Sequence, residues 1–140
     1  MQAEDRAGTP SKGSLWAGRI FSTLAVLFLL FDAVIKFIKI PPVAEAFARL
    51  GYPPSLAVPI GTILLGCVIL YIIPQTSVLG AVLLTGYLGG AVATHVRVGD
   101  PLFSHILFPT YVGLMIWGGL YVREPRLRAL IPFRNPQRTP

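Results

Sequence analysis

The sequence is short of charge. Only 13% of its 140 residues are Asp, Glu, Lys or Arg, against about 25% in an ordinary soluble domain. With 54% hydrophobic residues beside that deficit, a soluble globule would expose more apolar surface than water tolerates. The chain is therefore expected to be a membrane protein. Cysteine is reduced to one residue, Cys67, which excludes an intrachain disulfide and any C-x-x-C dithiol and reads as a small buried apolar side chain. Six acidic residues stand against twelve basic ones. That excess does not point to nucleic acid, because the basic residues gather at the two ends, where they act as a topology signal. G-x-S-x-G, H-E-x-x-H, the P-loop and the dinucleotide fingerprint are all missing.

What the chain has is four apolar runs of spanning length, joined by connections of a few to about 15 residues. This predicts an all-α fold, one integral membrane four-helix bundle that leaves no room for a second domain. Residues 1–14 are polar, carry Gly8, Pro10 and Gly13, and read as a loose cytoplasmic tail. The first span is predicted over residues 15–37. It exceeds a signal-peptide core of about 7–15 residues and no small-x-small cleavage pattern follows it, so it is expected to stay in the membrane. Lys36, Lys39, Pro41 and Pro42 mark its end. Residues 43–50, with Ala44, Glu45, Phe47 and Arg49 before Gly51, predict a two-turn interfacial helix between spans one and two.

The second span is predicted over residues 55–73, between Pro54 and Pro74. The link of Pro74, Gln75 and Thr76 is so short that the third span, residues 77–96, must fold back as a tight hairpin. Residues 97–104 contain Gly99, Asp100 and Pro101 and read as a loop. The fourth span covers residues 105–122, stopped by Arg123 and Pro125, and residues 123–140 form a basic tail.

Eight basic residues (Arg6, Lys12, Arg19, Arg123, Arg126, Arg128, Arg134 and Arg138) lie on the side of the termini, and four (Lys36, Lys39, Arg49 and Arg97) on the other. The positive-inside rule then puts both termini in the cytoplasm, and Trp16, Trp117 and Tyr121 suit an aromatic belt at that face. Small residues mark helix contacts in lipid, where close backbone approach replaces the hydrophobic drive. Gly86 and Gly90 form a G-x-x-x-G, with Gly89 and Ala93 beside it, Gly61 and Gly66 supply a small face on span two, and Gly113, Gly118 and Gly119 supply another on span four. These glycines read as packing positions within one bundle, with a homodimer through span three as the alternative.

Ionisable residues inside a span are costly and are functional-site hypotheses by default. At about 1.5 Å of rise per residue, Asp32 falls roughly 25 Å along span one and His95 about 27 Å along span three, each near the outer edge of a hydrocarbon core about 30 Å thick. Lys36 follows Asp32 at i+4, the favourable order for a helical ion pair. Asp100 sits in the adjoining loop and His105 opens span four. Asp32, Lys36, His95, Asp100 and His105 thus fall in one thin layer, with Arg97 among them. Pointing inward, they would form a polar cap over an apolar interior, suited to a quinone head group whose carbonyls need donors and whose tail needs apolar helix faces. Two histidines ten residues apart match no metal or haem motif, so no metal is expected. Tyr87 and Tyr111 would extend a hydrogen-bond path or simply pack.

The assembled pattern resembles the DoxX-like family of small bacterial membrane proteins. The resemblance rests on Asp32 and Lys36 at the end of span one and on the turn Leu50, Gly51, Tyr52, Pro53. It continues through Pro59, Ile60 and Gly61, the run Gly89, Gly90, Ala91, Val92, Ala93, Thr94, His95, and finally Gly99, Asp100 and Pro101. It covers residues 15–122 and implies a four-span bundle in the bacterial cytoplasmic membrane. Relatives of that family include a small membrane subunit of thiosulfate:quinone oxidoreductase and membrane partners of oxidative-stress complexes. It therefore implies an accessory subunit of a redox or stress-defence complex, not catalytic alone, with a membrane partner protein and a quinone or lipid at the cap. Two other expectations stand beside it: a small-solute or proton carrier, for which Thr62, Thr85 and Tyr87 are the few mid-depth polar groups, and a structural or assembly factor.

Overall fold

A computed structural model of the chain describes residues 10–131. The outer parts of the two tails, and with them the calls on Arg6, Arg134 and Arg138, lie outside the described residues. Helix α1 is Lys12–Ile38, α2 Pro41–Arg49, α3 Ala57–Ile72, α4 Ser77–Arg97, α5 Phe108–Arg123 and α6 Pro125–Leu130. A 3-10 turn, Pro54–Leu56, leads into α3, and a π-helical turn, Leu102–Ile106, leads into α5. Four segments are long and apolar enough to cross a membrane: Lys12–Ile38, Pro54–Ile72, Ser77–Arg97 and Leu102–Arg123. The all-α four-span bundle and the short amphipathic helix between spans one and two are both present.

The boundaries differ from the sequence reading where local capping decides them. Lys12, Gly13 and Ser14 belong to α1 and not to a tail, because the Ser11 side chain accepts a hydrogen bond from the Ser14 amide at 3.1 Å and so caps the helix three residues early. At the other end Lys39 takes the left-handed conformation, φ 54°, and its amide bonds to the Ile35 carbonyl at 3.1 Å. Pro41 and Pro42 then open α2, where the missing amide hydrogens would have had no helical partner anyway. Residues 102–104, read as loop, are already helical in the π turn, whose amides bond back to Pro101 and Leu102. Part of the C-terminal tail is folded too: Glu124 accepts from the Arg126 amide at 3.2 Å and caps α6, which buries Leu127.

The spans pack in chain order around a ring, α1 on α3, α3 on α4, α4 on α5 and α5 on α1, with α1 and α4 on a diagonal. Leu29, Leu64, Val68, Leu84 and Ile116 fill the axis. Phe31, Leu27, Ile63 and Leu114 point outward and stay exposed, as lipid-facing side chains must. Near the termini Tyr71 ties three helices together. Its hydroxyl donates to the Ile116 carbonyl at 2.9 Å and accepts from the Ser22 hydroxyl at 2.9 Å.

The close contacts include Gly119, which the sequence singled out, and two glycines it did not, Gly18 and Gly80. A Cβ at Gly80 would run into the Tyr71 and Leu70 backbone, and one at Gly119 would meet the Gly18 carbonyl at 2.7 Å. Gly61 does pack, with Lys36 Cβ 3.1 Å from where its own would stand. Gly66, Gly86, Gly89 and Gly90 are corrected: a Cβ at any of them would meet nothing within 4 Å, so they seat no helix in this bundle. Spacing reveals a small stripe, but only the helix phase says whether the stripe faces a neighbour.

Candidate functional site

A cavity of about 620 Å³ lies at the end of the bundle covered by α2. Its walls come from the diagonal helices. On α1, Phe28, Asp32, Ile35 and Lys36 recur at helical spacing, and on α4, Tyr87, Ala91, Thr94 and His95 do the same. Gly86 and Gly90 line it as well, so the G-x-x-x-G creates space by leaving out side chains. Val43 and Phe47 of α2 close one side, packed on Ala57, Ile35 and Ile60. Phe28 and Phe108 meet edge to face, ring centroids 5.2 Å apart, where α1 and α5 border the cavity.

The polar side chains form two separate groups. On α1, Lys36 is almost wholly buried and its Nζ lies 2.5 Å from Asp32 Oδ1, an i,i+4 pair that compensates both charges within the span. The second group is a relay from α4 to α2: His95 Nδ1 lies 2.5 Å from Asp100 Oδ2, and Arg49 donates to Asp100 Oδ1. His95, then Arg49, hold the Asp100 carboxyl below the ordinary carboxylate range against the opposing effect of burial. Among the described residues no hydrogen bond or ion pair joins the two groups. The five residues expected to form one cap divide accordingly. Asp32, Lys36 and His95 line the cavity, Asp100 stands behind His95, and His105 lies outside the lining. The His105 ring meets that of His95 at 5.9 Å and 66°, with its own Nδ1 2.8 Å from the Ser104 hydroxyl.

Four further residues, Arg49, Arg97, Tyr52 and Thr94, join the site through contacts that the sequence does not show. Arg49 reaches Asp100 across 51 residues of chain. Arg97 donates to the Leu50 carbonyl and lies over the Tyr52 ring at 5.7 Å. Tyr52 and Thr94 share a hydrogen bond of 3.1 Å between α4 and the turn after α2. The positive φ of Gly51, 76°, makes that turn. Thr62 and Thr85 return their hydroxyl hydrogens to their own helices, at the Val58 and Ala81 carbonyls.

The ring of four apolar spans with an amphipathic helix over one end defines a small multi-span membrane bundle with a half-open cavity of ligand size. The model of the DoxX-like family matches residues 20–119. The match runs from α1 nearly to the end of α5 and includes every wall of the cavity, and the chain belongs to that family. No curated protein and no solved structure matches it.

Proposed function

We propose that this protein holds an amphipathic, lipid-soluble molecule of the quinone type in the cavity beneath α2. In this reading it serves a membrane redox or oxidative-stress assembly as an accessory subunit and is not catalytic alone. One observation carries the reading: a largely apolar cavity of about 620 Å³ within a membrane bundle, with Lys36 and His95 among its few polar side chains. Such a lining orients a polar head while the remaining wall accepts a tail. Extraction in mild detergent followed by organic-phase mass spectrometry is expected to recover a stoichiometric quinone, and Lys36→Gln and His95→Gln are each expected to retain several-fold less. Recovery of bulk phospholipid alone, or unchanged retention in the double variant, would overturn the assignment.

The bacterial cytoplasmic membrane with both termini in the cytoplasm is the setting that fits this role. The eight basic residues on the terminal side support it. A green fluorescent protein fused to either end is expected to fluoresce, since it matures in the cytoplasm. Alkaline phosphatase activity from either fusion would reverse the orientation.

A further inference from the structure

The position of one hydrogen decides what the cavity recognises. An ionised carboxylate offers acceptors only. Asp100 has a donor on each oxygen, Arg49 on Oδ1 and His95 Nδ1 on Oδ2 at 2.5 Å, and those two partners keep it ionised at neutral pH. Nδ1 must therefore carry the hydrogen. In the neutral imidazole the other nitrogen, Nε2, is then a lone-pair acceptor. His95 Nε2 bonds to none of the described residues and is not sealed inside the protein, and His95 lines the cavity.

We infer that His95 presents the cavity with an acceptor, so that the site selects lipid-soluble molecules carrying a hydroxyl, phenols and hydroquinones, over carbonyl analogues that can only accept. A carbonyl oxygen at Nε2 would set lone pair against lone pair. The inference rests on the ligand reading above and adds to it the direction of the hydrogen bond, hence the reduced form as the preferred occupant. Asp100 is a positioning residue: it never touches the ligand and acts by fixing the tautomer, as carboxylates bonded to the far nitrogen of an imidazole do elsewhere.

Asp100→Asn tests this because it is isosteric and reverses the sign. Arg49 keeps the amide oxygen in the Oδ1 position, so the amide nitrogen faces His95 Nδ1 and donates to it. The imidazole hydrogen then moves to Nε2 and the site becomes a donor. The probes are dodecylphenol and dodecylbenzoquinone, titrated in detergent at about pH 8.5, above the ordinary imidazole range. The wild-type protein is expected to bind the phenol about tenfold more tightly, the scale of one well-placed hydrogen bond against an unpaired one. In Asp100→Asn the ratio is expected to fall to parity or invert. Equal binding of both probes by wild type, or an unchanged ratio in a folded Asp100→Asn, overturns the inference and leaves the cavity reading standing. Binding of neither probe overturns both. Should Asp100→Asn fail to fold, the imidazole nitrogen shifts of isotope-labelled wild type give the tautomer directly, and a hydrogen on Nε2 overturns it.

Discussion

Glycine and charge behave alike at the residue scale: each is informative in the sequence, and its role is decided by which way it points. Gly80 and Gly86 sit six residues apart on α4, one jammed against the Tyr71 backbone and the other bordering the cavity. Gly80→Ala is expected to lower the unfolding temperature in detergent, at an overpacking cost of about 1–3 kcal/mol. Gly86→Ala is expected to leave that temperature nearly unchanged and to reduce ligand retention, because its methyl enters the cavity. The opposite pattern would mean that the helix phase of α4 is wrong. Asp32, Lys36 and His95, which line the cavity, were legible as candidates because a charge or imidazole near the end of an apolar run stands out against its cost. Arg49 was not, since an arginine on an amphipathic helix is ordinary until a partner 51 residues away is brought to it.

Among the elements, α2 depends most on a few polar contacts. It packs Val43 and Phe47 inward, but its C-terminal end is held to α4 by Arg49 on Asp100 and by Arg97 on the Leu50 carbonyl. Asp100 has its folded pKa depressed by His95 and Arg49. The stability it contributes is thus fully present above the unfolded carboxylate value of about 3.9 and is lost as pH falls through the lower folded value. Hydrogen exchange in α2 is expected to be flat from neutral pH down to about 4, after correction for intrinsic rates, and to rise below that. In Asp100→Asn the exchange should start higher and show no such step. A step of equal size in the variant would place the titrating group elsewhere. The amphipathic period announced α2 itself. Its start at Pro41 was obscured because two consecutive prolines end one helix and open the next equally well.

For the whole molecule, lipid is the solvent that makes the ring of spans stable, and the outward side chains carry that requirement. Leu27 lies near the middle of α1 and is 58% exposed. Leu27→Arg is expected to impair membrane insertion of α1 by about 3 kcal/mol, read as the inserted fraction in a translocation assay. Insertion equal to wild type would mean that this face is covered by protein. The apolar runs by themselves determined the class and the number of spans, because a backbone in hydrocarbon has few ways to satisfy its hydrogen bonds, and the short link of Pro74, Gln75 and Thr76 made spans two and three neighbours. Membership of the DoxX-like family was legible for the same reason, in motifs that sit at span ends. Only the tertiary structure decided that the G-x-x-x-G of α4 lines a cavity, that Gly18, Gly80 and Gly119 carry the close approaches, and that the five polar residues divide into an ion pair, a relay and, outside both, His105. Each of these depends on helix rotation, and one residue of phase turns a side chain by about 100°, a difference that composition and periodicity do not register.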